Sequence, residues 1–355
     1  MSHSQQRTSD DGGRRGALVI SLDFELHWGV YDHCPADSPY RANLLGARRA
    51  IPRLLDLFEE FGVAATWATV GFLFAESRDE LLQFAPERRP SYRNEALNPY
   101  AAEIGHSEAD DPLHFAPSLI AEIRRRPFQE IGCHTFAHYY CLESGGGIGA
   151  FRADIESAVR LARRRDVHLT SLVFPRNQIT AEALAVLPSL GFKAYRGGEQ
   201  GWMYNVRPGS RNRLHRRVGR FLDQYGASIS RLVDWEELDD DSKLSNVRGS
   251  LFLRPFLPSQ PALNAFRFSR IARCMRQAAA TGRLFHLWWH PHNFGSNTEL
   301  NLAELRRLLM VFAECRNRFG FRSISMAGAA SAAHGGPHPL ETAFSSTMAG
   351  VPSLT

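Results

Sequence analysis

Apolar and polar positions along the chain fall into an alternating rhythm of short runs and amphipathic stretches. Residues 17–22 form an apolar run, and 47–61 place Ile51, Leu54, Leu55 and Phe58 at helical spacing with Gly62 as the stop. Residues 63–70 then read as a strand, followed by a polar, proline-bearing stretch over 85–117 that reads as an insertion. The rhythm resumes with a helix over 118–126, a strand ending near Cys133, a helix over 151–165 and a strand over 169–174. A helix over 181–190 closed by Gly191 and a strand over 192–195 complete this half, and residues 201–248 break the pattern. The final third gives helices over 265–280 and 299–318 and strands over 284–289 and 321–325.

Strands alternating with helices of this length predict an α/β protein with a parallel sheet, closed as a barrel or doubly wound. Polar residues at the carboxyl ends of the strands are then the first candidates for chemistry. Residues 1–15 and 331–355 are poor in large apolar side chains and read as disordered tails around one domain over 16–330.

Composition narrows the function classes. The 355 residues are 44% hydrophobic and 22% charged, which suits a soluble globular protein and excludes wholesale disorder. The net charge of +5 is spread along the chain, and Lys193 and Lys243 are the only lysines among 42 basic residues. That skew is compositional and gives no reason to expect nucleic acid as a partner. No 18-residue apolar run and no hydrophobic leader is present, and the five cysteines are scattered with no Cys-x-x-Cys, so a cytoplasmic protein with reduced thiols is expected.

Four segments collect candidate chemistry. Strand alternation sends Asp23, Glu25 and His27 to one face at the end of the first strand, where two carboxylates need a cation or a shared proton. Taken alone, an Asp-x-Glu is more often a cap or a surface pair. His134 and His138 form a His-x3-His pair that meets on one side if the segment turns like a helix, a spacing that suits zinc but also arises by chance among 14 histidines. His286, Trp288 and His290 share a strand face near the C-terminus; His286 reads first as a satisfied interior histidine, and His290 sits at the strand mouth. Phe174-Pro175-Arg176-Asn177-Gln178 offers a cation and two amides to the same rim. The stretch 207–220 holds Arg211, Arg213, Arg216, Arg217 and Arg220; it reads as a solvated helix, with a phosphate clamp as the alternative.

The first four of these segments together resemble the polysaccharide deacetylase family, the nodulation-type deacetylase or carbohydrate esterase family 4 domain, over about residues 17–329. The stretches LDFELHWGVYD, FPRN and HLWWHPHNFG look like deacetylase-like proteins of bacterial surface-polysaccharide loci. The resemblance implies a distorted (β/α) barrel of about seven parallel strands, similar to a TIM barrel. It implies Asp23 as catalytic base, Glu25, His134 and His138 as metal ligands, His290 as general acid and Arg176 as the partner of Asp23. His27, Trp28, Arg196, Trp202, Trp289, His292 and Asn293 become candidate substrate contacts.

Two departures stand out: FPRN replaces the family's Arg-x-Pro-Tyr, and its Asp-Trp motif has Asp234-Trp235, Arg196 or Trp202 as equal candidates. The implied cofactor is one divalent ion, zinc first, with iron, cobalt, nickel or manganese as alternatives. The implied reaction is removal of an N-acetyl group from a sugar, nucleotide-linked or lipid-linked, in surface-polysaccharide synthesis. The alternatives are the same metal barrel acting on a formamide or cyclic ureide, or a catalytically silent sugar-binding scaffold. Oligomeric state is left open by the sequence.

Overall fold

The computed structural model describes residues 15–198, 232–238 and 244–335. Expectations placed on residues 1–14, Trp202, 207–220 and the chain beyond 335 lie outside the described residues.

The strands are β1 (Ala17–Phe24), β2 (Ala65–Thr69), β3 (Gln129–Cys133), β4 (Ser171–Val173), β5 (Ala194–Arg196), β6 (Ser245–Asn246), β7 (Leu251–Phe252), β8 (Leu284–Trp289) and β9 (Arg322–Ile324). The helices are α1 (Arg41–Phe61), α2 (Arg78–Phe84), α3 (Pro117–Arg125), α4 (Gly147–Arg164), α5 (Ala181–Val186), α6 (Pro261–Thr281), α7 (Thr298–Phe319) and α8 (Met326–Ala333). All pairings between these strands are parallel.

The sheet curls from β5 through β4, β3, β2 and β1 to β8. One segment bridges its two open edges: β6 pairs with β5, and six residues later β7 pairs with β8. Counting that segment once, seven staves form the distorted barrel that the family resemblance implied. β9 pairs with Ala17 to Val19 of β1, below the register that β1 shares with β2.

β1 is buried along its whole length because it lies in the centre of a sheet covered on both faces. Leu18, Ile20, Leu22 and Phe24 pack outward under the helices. Ala17 and Val19 face the barrel interior, in an apolar layer with Val233, Trp235, Leu284 and the alanines of α8. Above it the inward positions turn polar with Ser21 and Asp23, and β2 and β3 carry only Ala68 and Gly132 at the level of Asp23. Those small residues leave room for the polar side chains that fill the upper barrel.

α1 ends on Gly62 in the left-handed region, as its sequence position implied. Farther back, Gly46 lies so close to Gly295 that a Cβ on either would overlap the other segment's backbone. This contact presses the turn after β8 onto α1. α8 continues to Ala333, three residues past the expected domain end, because Ala329, Ala330 and Ala333 are small enough to pack closely beneath the barrel. The 85–117 stretch holds short 3-10 turns and carries Leu113 and His114 to the end of β1. No helix among the described residues is long and apolar enough to cross a membrane.

Candidate active site

Asp23 is inward-facing near the end of β1, and Glu25 is the first residue after the strand. Alternation stops there. Leu26 adopts a φ of 44° and the chain enters a 3-10 turn over Leu26–Gly29, so His27 does not join the two acids. Instead its Nδ1 lies 2.8 Å from His114 Nε2 and its Nε2 lies 2.8 Å from the Cys34 carbonyl. Trp28 is also structural: it is buried and its indole N–H donates to the His114 carbonyl. Neither is placed to touch a substrate.

His134 and His138 do meet, but not on a helical turn. Thr135 (φ 62°) and His138 (φ 52°) are both left-handed, a costly conformation for residues other than glycine. Asp154 on α4 holds the loop, accepting from the backbone N–H groups of Phe136 at 2.7 Å and Ala137 at 3.1 Å. The Thr135 hydroxyl accepts from the Tyr139 N–H at 2.7 Å. The loop thus brings both Nε2 atoms to one oxygen of Glu25, at 3.2 Å and 3.1 Å.

Asp154 escaped the sequence reading, although an acid inside the apolar stripe of Ala150, Phe151, Ile155 and Ala158 is the signal that could have found it. Asp154→Ala orphans two buried donors and is expected to cost about 2–4 kcal/mol, read as a lower midpoint in urea unfolding.

The protonation logic of the triad favours a cation. His134 Nδ1 must donate to the Val173 carbonyl at 2.9 Å, so in the neutral ring Nε2 turns a lone pair toward Glu25. Two acceptors facing each other at that distance in a buried site require a positive charge between them or an added proton. Burial pushes His138 down to about 4 despite the nearby Glu25 carboxylate, so its ring is neutral at pH 7 and able to ligate. Burial alone would raise Glu25, yet His290 and the bonds to His134 and His138 hold it well below its ordinary range. The three ligand atoms lie within 4.8 Å of one another, and a carboxylate with two imidazoles is a donor set for a divalent metal.

The cation beside Asp23 is Arg196, not Arg176. Arg196 is the last residue of β5, buried in the barrel, and its two terminal nitrogens each lie 2.7 Å from an Asp23 oxygen. Arg176 sits in a turn where it and Asn177 are left-handed, and the turn directs it to the rim, onto Asp32 and over the Tyr140 ring. Arg196 belongs to the sequence-derived set of substrate contacts; the structure gives it to the carboxylate instead.

The Trp288 ring covers Arg196 at 4.1 Å, and Ser21 accepts from it at 2.9 Å. Ser21 in turn bonds His286 Nε2 at 2.8 Å, and His286 Nδ1 donates to the Val247 carbonyl. Burial would raise Asp23, but the charge and hydrogen bonds of Arg196 hold it below the ordinary carboxylate range. Asp234-Trp235 takes no part: Trp235 is in the lower apolar layer, and Asp234 pairs with Arg283 below β8.

His290 follows β8 directly. Its Nε2 lies 3.7 Å from Asp23 and 3.5 Å from Glu25, and its side chain is 24% exposed, so it stands between the acids and the open mouth. The His292 ring stacks on it at 4.9 Å, and Asn293 donates its N–H to the His290 carbonyl at 2.9 Å. Trp289 points outward, buried against Phe58 and Phe294, and is not a substrate contact. His292 is buried too, with Tyr40 against its edge.

His286 is a satisfied interior histidine, and burial and the Arg196 charge push it down to about 3. The unfolded chain takes up a proton on this residue as pH falls through about 6.5, and the folded chain does not. Stability is therefore full above that value and falls as pH drops, by up to about 1.4 kcal/mol per pH unit from this residue. In urea unfolding between about pH 6 and pH 4, His286→Gln should flatten the acid slope by that amount.

No family model matches the chain, and no curated protein does. Solved structures do resemble it. A candidate polysaccharide deacetylase of Mycobacterium smegmatis superposes with a TM-score of 0.57 at 14% identity, over 90% of this chain and 91% of that one. A candidate polysaccharide deacetylase of Pseudomonas aeruginosa gives 0.49 at 10% identity over 89% of each chain. A family 4 carbohydrate esterase of Streptomyces lividans, solved with acetate, gives 0.38 at 11% identity over 84% of this chain and 88% of that one. The first of these shows that the chain has the polysaccharide deacetylase fold.

Proposed function

We propose that the protein is a metal-dependent amide hydrolase that removes an N-acetyl group from a sugar or sugar-linked precursor in cell-surface polysaccharide synthesis. The observation that carries this reading is the joint placement of the Glu25–His134–His138 triad, an Asp23 carboxylate kept ionised by Arg196, and His290 within 3.7 Å of both acids. A divalent ion held by the triad would supply Lewis acidity to the amide carbonyl and the attacking water. Zinc is the first choice, since two imidazoles and one carboxylate with an open position suit it.

Asp23 accepts the proton that the attacking water loses, and Arg196 keeps it available by holding it unprotonated. His290, half-buried at the mouth, delivers a proton to the departing amine. Arg176 keeps a place at the rim, where it can meet substrate but not Asp23. The five cysteines form no disulfide, which suits a reducing cytoplasm. Zinc-loaded protein incubated with a panel of N-acetylated sugars, free, nucleotide-linked and lipid-linked, should release acetate. Release of another acid from an N-acylated panel would keep the metal amidase and change the acyl group; release of none overturns the reading.

A further inference from the structure

A pocket of 310 Å³ opens beside His290 and Trp288 and runs between α6, α7 and the segment after β7. Its size is at the lower end for small-molecule sites. The deep wall is apolar, built from Leu253, Ile271, Leu305 and Leu308. Four arginines, Arg176, Arg254, Arg267 and Arg270, also line it, against Glu304 as the sole acid among the lining residues. Glu304 lies 2.7 Å from Arg307. Because His290 is the side chain shared between the acids and this pocket, the pocket lies on the side from which an amine would leave.

A hydrocarbon wall favours an apolar chain over a bare sugar, and the guanidinium groups at this pocket suit phosphate oxygens, with Arg176 already held on Asp32. Building on the hydrolase reading, we propose that this pocket binds an alkyl phosphate, so that the N-acylated sugar arrives as a lipid-phosphate conjugate. The apolar chain lies between α6 and α7, and the phosphate meets the arginines.

Titration calorimetry of the full-length, metal-loaded protein with geranyl phosphate, geraniol and inorganic phosphate tests this. Geranyl phosphate should bind at least tenfold tighter than either fragment. Leu308→Trp, which fills the cavity, and Arg267→Gln, on the half-buried face of α6, should each weaken it at least tenfold. Should Leu308→Trp fail to fold, Arg267→Gln carries the test alone. Equal binding of geraniol and geranyl phosphate, unchanged binding in Arg267→Gln, or no binding at all overturns the proposal. The titration needs no turnover, so the two readings separate: binding of geranyl phosphate without release of any acid from any N-acylated sugar supports the pocket and removes the hydrolase, whereas acid release from simple N-acylated sugars by a protein that ignores geranyl phosphate does the reverse.

Discussion

Asp23→Asn is expected to lower kcat for acetate release by about 10³-fold, in the range that loss of a general base produces. The same change should also cost roughly 3 kcal/mol of stability, because it leaves the Arg196 guanidinium buried without its counter-charge. The two effects can be separated. Adding Arg196→Met to Asp23→Asn removes the orphaned cation and should restore part of the unfolding free energy while leaving turnover lost. A plain structural role for Asp23 predicts recovery of both together. Full activity in Asp23→Asn would exclude it as the base.

His134→Ala/His138→Ala should reduce the metal content of purified protein from about one divalent ion per chain to none, read by elemental mass spectrometry, since a lone carboxylate holds a divalent ion weakly. Unfolding gives a second readout. Metal at about a hundredfold excess over its Kd should stabilise the wild type by about 2.7 kcal/mol and leave the double variant unmoved. Metal retained in the variant would place the ion elsewhere, and metal in neither protein after reconstitution would leave the triad a proton-sharing cluster.

The long, strongly periodic parts of this fold were readable from the residues. β8 occupies the expected positions, α1 and α4 extend their expected spans at the N-terminal end, and every expected strand but the last became a barrel stave, the last pairing below them on β1 as β9. The chemistry at the strand ends was readable in kind: Asp23, Glu25, His134, His138 and His290 do gather. What eluded the sequence lies at backbone turns. Leu26, Thr135, His138 and Arg176 all adopt positive φ without being glycine, and no local pattern announces that. Those turns decide that His27 leaves the site and that Arg176 reaches Asp32 instead of Asp23. The identity of Asp23's partner is a tertiary outcome, since β5 must be inserted between β4 and β6 before Arg196 can reach it.

The pairing of β1 also bears on how the chain comes off the ribosome. Its lower edge registers with Arg322 to Ile324 and its other edge with Leu284 to Trp289, so the first strand made waits for partners made roughly 270 to 300 residues later. Contacts of such sequence separation are slow to form. β2 and β3 can assemble on β1 and bring Glu25 to the two histidines early, but Asp23 has no guanidinium until β5 emerges and no histidine above it until β8 does. Until β5 and β8 pair, the sheet is open and the Asp23 carboxylate has neither Arg196 nor His290 beside it, so the site closes only once both of those strands are in place.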